Sequence, residues 1–136
     1  MQAFPARSVW MEHRISYGET DAMGYLYYAE YLHLFERGRS AYIRQLGMSY
    51  ALVEEKGLML PVREAGCRYR IPSRYDELVW VRVGMASHGR ASIRFVYQLT
   101  DAERAVVRAE GFTEHACTNL EGRPVRMPEW LLALIG

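Results

Sequence analysis

The sequence predicts an α+β domain in which one long helix is covered by an antiparallel sheet. Three observations predict it. An apolar period of 3.6 residues runs from Tyr28 to Leu46. Segments of period two follow it, from about Glu64 to Thr118. Strands and helices do not alternate, and no glycine-rich phosphate loop follows a strand, which argues against a doubly wound nucleotide-binding fold.

Each element has its own signal. Ser8 to about Tyr17 reads as a first strand. The helix over 28–46 gathers Tyr31, Leu32, Leu34, Phe35, Gly38, Ala41, Tyr42 and Leu46 into one stripe. Glu30, His33, Glu36, Arg37, Ser40 and Arg44 fall outside it. Gly38 lowers helix propensity in mid-helix, so it predicts close packing against another element. Gly47 stands where a C-terminal cap belongs. A shorter helix follows, with Ser49 as N-cap and Gly57 as its stop.

The pattern then changes. Ala65, Cys67, Tyr69 and Ile71 share one face of a strand; Val79, Val81, Val83 and Met85 share the next. Ala91, Ile93, Phe95, Tyr97 and Leu99 share the third. A fourth strand, about Arg104 to Thr118, alternates less cleanly, as expected if both faces are partly covered. These strands are expected to run as a consecutive antiparallel meander. His88-Gly89-Arg90 and Thr100-Asp101-Ala102-Glu103 are hairpin turns, and Pro128 opens a last helix ending at Ile135.

Composition narrows the function. At 136 residues the chain suits one domain, 1–136, with one core. A net charge of +1 argues against a dedicated nucleic-acid binder. No run is long and apolar enough to span a membrane. The N-terminus has neither the basic start nor the apolar stretch of a signal peptide, which predicts a cytoplasmic protein. Cys67 and Cys117 lie in strand-like runs and are expected as buried free thiols. Histidines without paired spacing predict no metal site. Lys56 stands alone among many arginines, a bias read mainly as codon usage.

The chemistry concentrates between Tyr17 and Tyr31, where Glu19, Asp21 and two glycines sit among aromatics. Asp21 can offer a carboxylate at a turn, or simply hold the turn. Glu19, two residues earlier, reads as a neighbour or surface residue. Gly24 suits a tight turn or the close approach of a substrate to the backbone. The helix start offers N–H groups with no internal partner, in a field that favours negative charge.

Asp21-Ala22-Met23-Gly24-Tyr25-Leu26-Tyr27-Tyr28-Ala29-Glu30-Tyr31-Leu32, then Phe35-Glu36-Arg37-Gly38-Arg39, resembles the signature of the hotdog-fold acyl-CoA thioesterases. The nearest group is the 4-hydroxybenzoyl-CoA thioesterase family, with the Tol-Pal-cluster acyl-CoA thioesterases. Pro61-Val62, the segment from Pro72 to Leu78, and Gly122-Arg123-Pro124 extend the likeness along nearly the whole chain. The resemblance implies a long helix wrapped by an antiparallel sheet, and a homodimer or homotetramer with sites between subunits. It implies hydrolysis of an acyl-CoA to a free acid and CoA, with no cofactor, because CoA belongs to the substrate.

The resemblance also assigns roles. It places the catalytic carboxylate at Asp21, as nucleophile or as general base on water, with Gly24 in the same turn. It places the oxyanion hole at backbone N–H groups around Tyr28. It places nucleotide contacts at Arg90 and Ser92, in the hairpin His88-Gly89-Arg90-Ala91-Ser92 between two strands. Arg123 and Arg126 are expected in solvent. Tyr28 stands where many members carry His, and Glu30 where many carry Asn, so the acyl group is left open between short-chain and aromatic. Arg39, near the apolar stripe, is expected in a structural ion pair. His33 and His115 are expected to be structural. The alternative function is a non-catalytic hotdog module that binds an acyl-CoA or a lipid. A hydratase is not expected, because its Asp and His motif is absent.

Overall fold

The computed structural model describes residues 3–135. The strands are β1 (Ser8–Arg14), β2 (Val62–Tyr69), β3 (Leu78–His88), β4 (Ser92–Thr100) and β5 (Val107–Ala116). The helices are α1 (Glu30–Gln45), α2 (Tyr50–Glu55) and α3 (Glu129–Ile135). All strand pairs are antiparallel, in the order β1-β3-β4-β5-β2.

One face of this sheet wraps α1. Val79, Val81 and Val83 of β3, with Ile93, Phe95, Tyr97 and Leu99 of β4, are buried against Leu34, Phe35, Tyr42 and Ile43 of α1. Phe35 stacks on Tyr97 at 4.5 Å. Gly38 performs the role its position predicted. A Cβ there would lie 2.7 Å from Val83 Cγ2 and 3.0 Å from Val81 Cγ1, so only glycine lets α1 lie this close to β3. Ser49 Oγ accepts the Leu52 N–H at 3.1 Å, and Gly57 closes α2 at φ +88°. Both cysteines are free thiols, and burial pushes Cys117 up to about 11.

Four expectations need correction. β1 ends at Arg14 rather than near Tyr17, because a 3-10 turn, Tyr17–Glu19, takes over. The Glu19 carboxylate accepts the Ser16 N–H at 2.7 Å and so closes that turn. α1 begins at Glu30, not Tyr28: Ala29 is its N-cap, and Tyr27 and Tyr28 belong to the approach. The meander holds for β3, β4 and β5 only. β2 crosses to the far edge beside β5, and β1 takes the place next to β3. Alternation fixes a strand's inward face but says nothing of its neighbour.

Arg39 is the fourth correction. It is buried, yet no carboxylate pairs with it among the described residues. Its Nε donates to the Tyr50 hydroxyl at 2.8 Å and its Nη1 to the Tyr97 hydroxyl at 3.1 Å. The chain of bonds continues through Thr113 Oγ1 to His115 Nε2, and His115 Nδ1 meets the Leu60 carbonyl at 2.8 Å. Both ends fix its direction. A guanidinium can only donate and a carbonyl can only accept, so each hydroxyl passes its proton toward His115. His115 therefore carries its proton on Nδ1 and stays neutral.

That arrangement predicts a pH effect on stability. Burial lowers the His115 pKa from 6.5 to about 4. The unfolded chain gains a proton below pH 6.5 that the folded chain refuses, so stability is lost as pH falls from 6.5 toward 4. The loss by pH 4.5 is about 2 kcal/mol. Urea unfolding at pH 7 and pH 4.5 measures it. His115→Asn, which can keep the donor to Leu60, is expected to lose most of this dependence. The lowered carboxylates of Glu19 and Glu114 act mainly below their ordinary value of 4.5.

The arginine bias has a structural use on the outer face of the sheet. Arg82 lies over the rings of Phe4 and Trp10, at 4.4 and 5.3 Å. Arg104 lies over Trp80 and Trp10, at 3.8 and 4.8 Å. A planar guanidinium stacks on such rings in a way a lysine ammonium does not.

Candidate active site

The turn that follows the 3-10 segment is built by Asp21 itself. Asp21 Oδ1 accepts the N–H of Met23 at 2.9 Å and of Tyr25 at 3.1 Å. The Asp21 carbonyl accepts the Gly24 N–H at 2.9 Å, and the Asp21 N–H donates to the Tyr25 carbonyl at 2.8 Å. Gly24 has φ +78°, a left-handed conformation that a side chain would strain, and a Cβ there would meet nothing within 4 Å. The glycine thus serves the turn, and the space above it is open. Oδ1 has the turn-holding role; Oδ2 accepts from no other group among the described residues.

Two further segments clamp the turn. The Tyr27 N–H donates to the Glu19 carbonyl at 2.8 Å, which brings both ends of the turn together. The connection from β2 to β3 packs alongside: the Leu26 N–H donates to the Ser73 carbonyl at 2.8 Å, and Arg74 lies over the Tyr25 ring at 4.7 Å. The chain then enters α1. The Glu30 N–H is taken by the Tyr27 carbonyl at 2.9 Å, whereas the N–H groups of Tyr28 and Ala29 find no acceptor among the described residues. Both residues are exposed. The Tyr28 carbonyl accepts from the Tyr69 hydroxyl at 3.0 Å, so the end of β2 holds this approach in place.

The surroundings are aromatic and open. Tyr17, Met23, Tyr28 and Tyr75 are all more than half exposed. Tyr17 and Tyr75 meet edge to face at 5.7 Å, and Tyr27 lies 4.7 Å from Tyr28. The Asp21 charge is felt here. It contributes to raising the Tyr27 and Tyr31 hydroxyl pKa values, after the larger effects of neighbouring Tyr28 on the first and of burial on the second.

Asp21 and Gly24 therefore share one turn, and Tyr28 follows it on the approach to α1. Arg90 and Ser92 do not join them within one chain. They sit at the β3–β4 hairpin, where Ser92 pairs with Ala116 and the Arg90 carbonyl accepts the Met127 N–H at 2.7 Å. The Asp21 turn packs near the opposite end of the strands, beside Ser73 and Tyr69. A nine-residue strand such as β4 separates those ends by roughly 30 Å. Arg123 and Arg126 are exposed, as expected. A cleft of about 280 Å³ between α1 and β2 is lined by His33, Glu36 and Arg39 among others. The contacts of Tyr69, Ser73 and Arg74 to the turn were not legible in the sequence, because they span more than forty positions. No group of three metal-ligating side chains occurs among the described residues, and none of their helices is long and apolar enough to cross a membrane.

This architecture, a five-stranded antiparallel sheet wrapped on one long helix, is that of the hotdog-fold thioester hydrolases. The chain belongs to the thioesterase-like superfamily, whose family model matches residues 15–135. It is similar to the acyl-CoA thioesterase YbgC of Haemophilus influenzae, 31% identical over 118 residues, which is 85% of each protein. It is also similar to the 1,4-dihydroxy-2-naphthoyl-CoA hydrolase of Synechococcus elongatus, 27% identical over 124 residues, 86% of this chain and 90% of that one. Among solved structures, a DHNA-CoA thioesterase from Staphylococcus aureus superposes with a TM-score of 0.85 at 30% identity. It covers 93% of this chain and 87% of its own.

Proposed function

We propose that the protein hydrolyses an acyl-CoA, with a short-chain or aromatic acyl group, to the free acid and CoA. One observation carries this reading. A carboxylate with one uncommitted oxygen lies on a clamped turn, and two N–H groups without acceptors among the described residues follow that turn at the start of the buried helix. The names of the relatives support the CoA ester as substrate.

The chemistry follows from that pairing. Asp21 either takes a proton from water, so that hydroxide adds to the thioester carbon, or attacks that carbon through Oδ2. The carbonyl oxygen becomes an anion, which the N–H groups of Tyr28 and Ala29 stabilise with the field of the helix start. Collapse breaks the C–S bond, and the CoA thiolate leaves and takes up a proton. On the first route the acid forms at once; on the second a mixed anhydride forms and water hydrolyses it. No cofactor is required, and CoA enters as part of the substrate. The exposed rings of Tyr17, Tyr28 and Tyr75 offer an apolar wall for a short or flat acyl group.

The site is completed by a second copy. β2 is an edge strand whose outer side is unpaired, and Val62 and Tyr69 on it are exposed. Two copies joined antiparallel along β2 bring the Tyr69 end of one against the Val62 end of the other. Val62 pairs with His115, next to the end where Ser92 pairs with Ala116. The partner's hairpin, with its Arg90 and Ser92, thereby comes to the same end as Asp21, where it can meet the nucleotide of a CoA whose thioester lies at the turn.

Free-thiol release over a panel of short, long and aromatic acyl-CoAs tests the activity, and hydrolysis of at least one is expected. Tight binding of such esters with no release from any would favour a non-catalytic binding module. Light scattering on the same preparation is expected to give two or four chains; a monomer active at all concentrations would rule out the shared site.

A further inference from the structure

We propose that Arg37, His13 and Glu19 form a hydrogen-bonded relay that positions the Asp21 turn for hydrolysis, with Glu19 as its positioning residue. The proposal rests on the reading of Asp21 given above. Glu19 lies two residues before Asp21, and its side chain is only 16% exposed; that of His13 is 11% exposed. An acid this covered is held for a reason. His13 Nε2 lies 2.8 Å and 3.0 Å from the two Glu19 carboxylate oxygens, and the Ser16 N–H takes one of them at 2.7 Å. On the other side of the ring, Arg37 Nη1 approaches His13 Nδ1 at 3.4 Å. The Glu19 carbonyl meanwhile accepts the Tyr27 N–H.

One residue thus ties together β1 through His13, α1 through Arg37, and both ends of the turn. Its backbone leads into Asp21 on one side and holds Tyr27, next to the free Tyr28 N–H, on the other. The protons are assigned by chemistry. A carboxylate only accepts, so Nε2 carries the imidazole proton; a guanidinium only donates, so Nδ1 accepts from Arg37. The His13 ring thus has a partner on both sides. A relay of this kind fixes where the carboxylate stands relative to the N–H groups, and a displacement near 1 Å in such geometry can lower a rate about a hundredfold.

The variants follow from the proton order. Glu19→Gln keeps size and an oxygen at Oε1 that can accept from both Ser16 and Nε2, but it removes the negative charge and sets an NH₂ against Nε2 in place of Oε2, so the link is weakened. His13→Ala removes the link. His13→Gln places a side-chain N–H near the position of Nε2 and restores the donor to Glu19. With a hydrolysable acyl-CoA, kcat is expected to fall about tenfold in Glu19→Gln and in His13→Ala, with KM within about threefold. His13→Gln is expected to return to within about threefold of the wild-type kcat. Should His13→Ala not fold, the near-isosteric Glu19→Gln still decides.

Wild-type kcat in both disrupting variants would overturn the proposal. So would a loss in Glu19→Gln as deep as in Asp21→Asn while His13→Ala stays at the wild-type rate, because Glu19 would then be the reacting acid. Loss in His13→Ala without rescue by His13→Gln would reduce the pair to a packing contact and also overturn it. An inactive Asp21→Asn beside a fully active His13→Ala sinks only the relay. A fully active Asp21→Asn sinks the reading on which the relay rests.

Discussion

Asp21→Asn is expected to lower thiol release from the preferred acyl-CoA by two orders of magnitude or more, with the fold unchanged. The structure makes this substitution unusually clean. Oδ1 holds the N–H groups of Met23 and Tyr25, and an asparagine amide oxygen can accept both bonds from the same place. The turn survives, and so do the Gly24 conformation and the approach to α1. What is lost is the negative charge and the basic or nucleophilic lone pair on Oδ2. Asp21→Ala is a different experiment, because it removes the acceptor as well as the chemistry. It should lose stability in addition, by about 1 kcal/mol or more for two orphaned turn N–H groups. Steady-state kinetics with circular dichroism on both variants separates the two roles. If Asp21→Asn keeps full activity while Glu19→Gln loses it, the acting carboxylate is Glu19 and the assignment is wrong.

The turn at Asp21 was legible in the sequence because its bonds are local. Asp21 reaches Met23 and Tyr25, and Gly24 closes on Asp21, all within five residues. The same holds for the stripe of α1, the Ser49 cap and Gly38, where spacing alone fixes what faces the sheet. What lay beyond reach was set by partners distant along the chain. Arg39 finds Tyr97, 58 positions away, and no local pattern tells two hydroxyls from a carboxylate. His13 reads as an ordinary strand residue until the 3-10 turn folds Glu19 back onto it. The seat of β2 beside β5 is likewise invisible, since its inward residues alternate identically whichever neighbour it has. The separation of Arg90 and Ser92 from Asp21 follows from that order and from strand length, and for that reason the proposed function calls on a second copy.

Gly111→Ala is expected to destabilise the protein by about 3 kcal/mol, at the upper end of what one added methyl group does in a packed interior. Gly111 pairs with Cys67 on β2 and with Tyr97 on β4. A Cβ there would stand 2.4 Å from the Gly66 carbonyl oxygen and 2.7 Å from Phe35 Cε2. Neither neighbour can yield cheaply. The Gly66 oxygen belongs to a strand held by the β2–β5 ladder, and Phe35 is fully buried and stacked on Tyr97. The strain has one outlet, the withdrawal of β2 from β5. That movement also carries away Tyr69, whose hydroxyl holds the Tyr28 carbonyl, and the edge proposed to join two copies. Activity and assembly should therefore fall together with stability. In a domain of this size the change corresponds to a midpoint roughly 10 °C lower in thermal unfolding. Gly66→Ala is the matched control. The nearest atoms to its Cβ would be those of the Phe112 ring, at 2.5 Å, and that ring is partly exposed under Arg94 and can turn aside. A loss near 1 kcal/mol is expected there. Equal stability of Gly111→Ala and the wild type would mean that β2 does not lie as close to Phe35 as the fold requires.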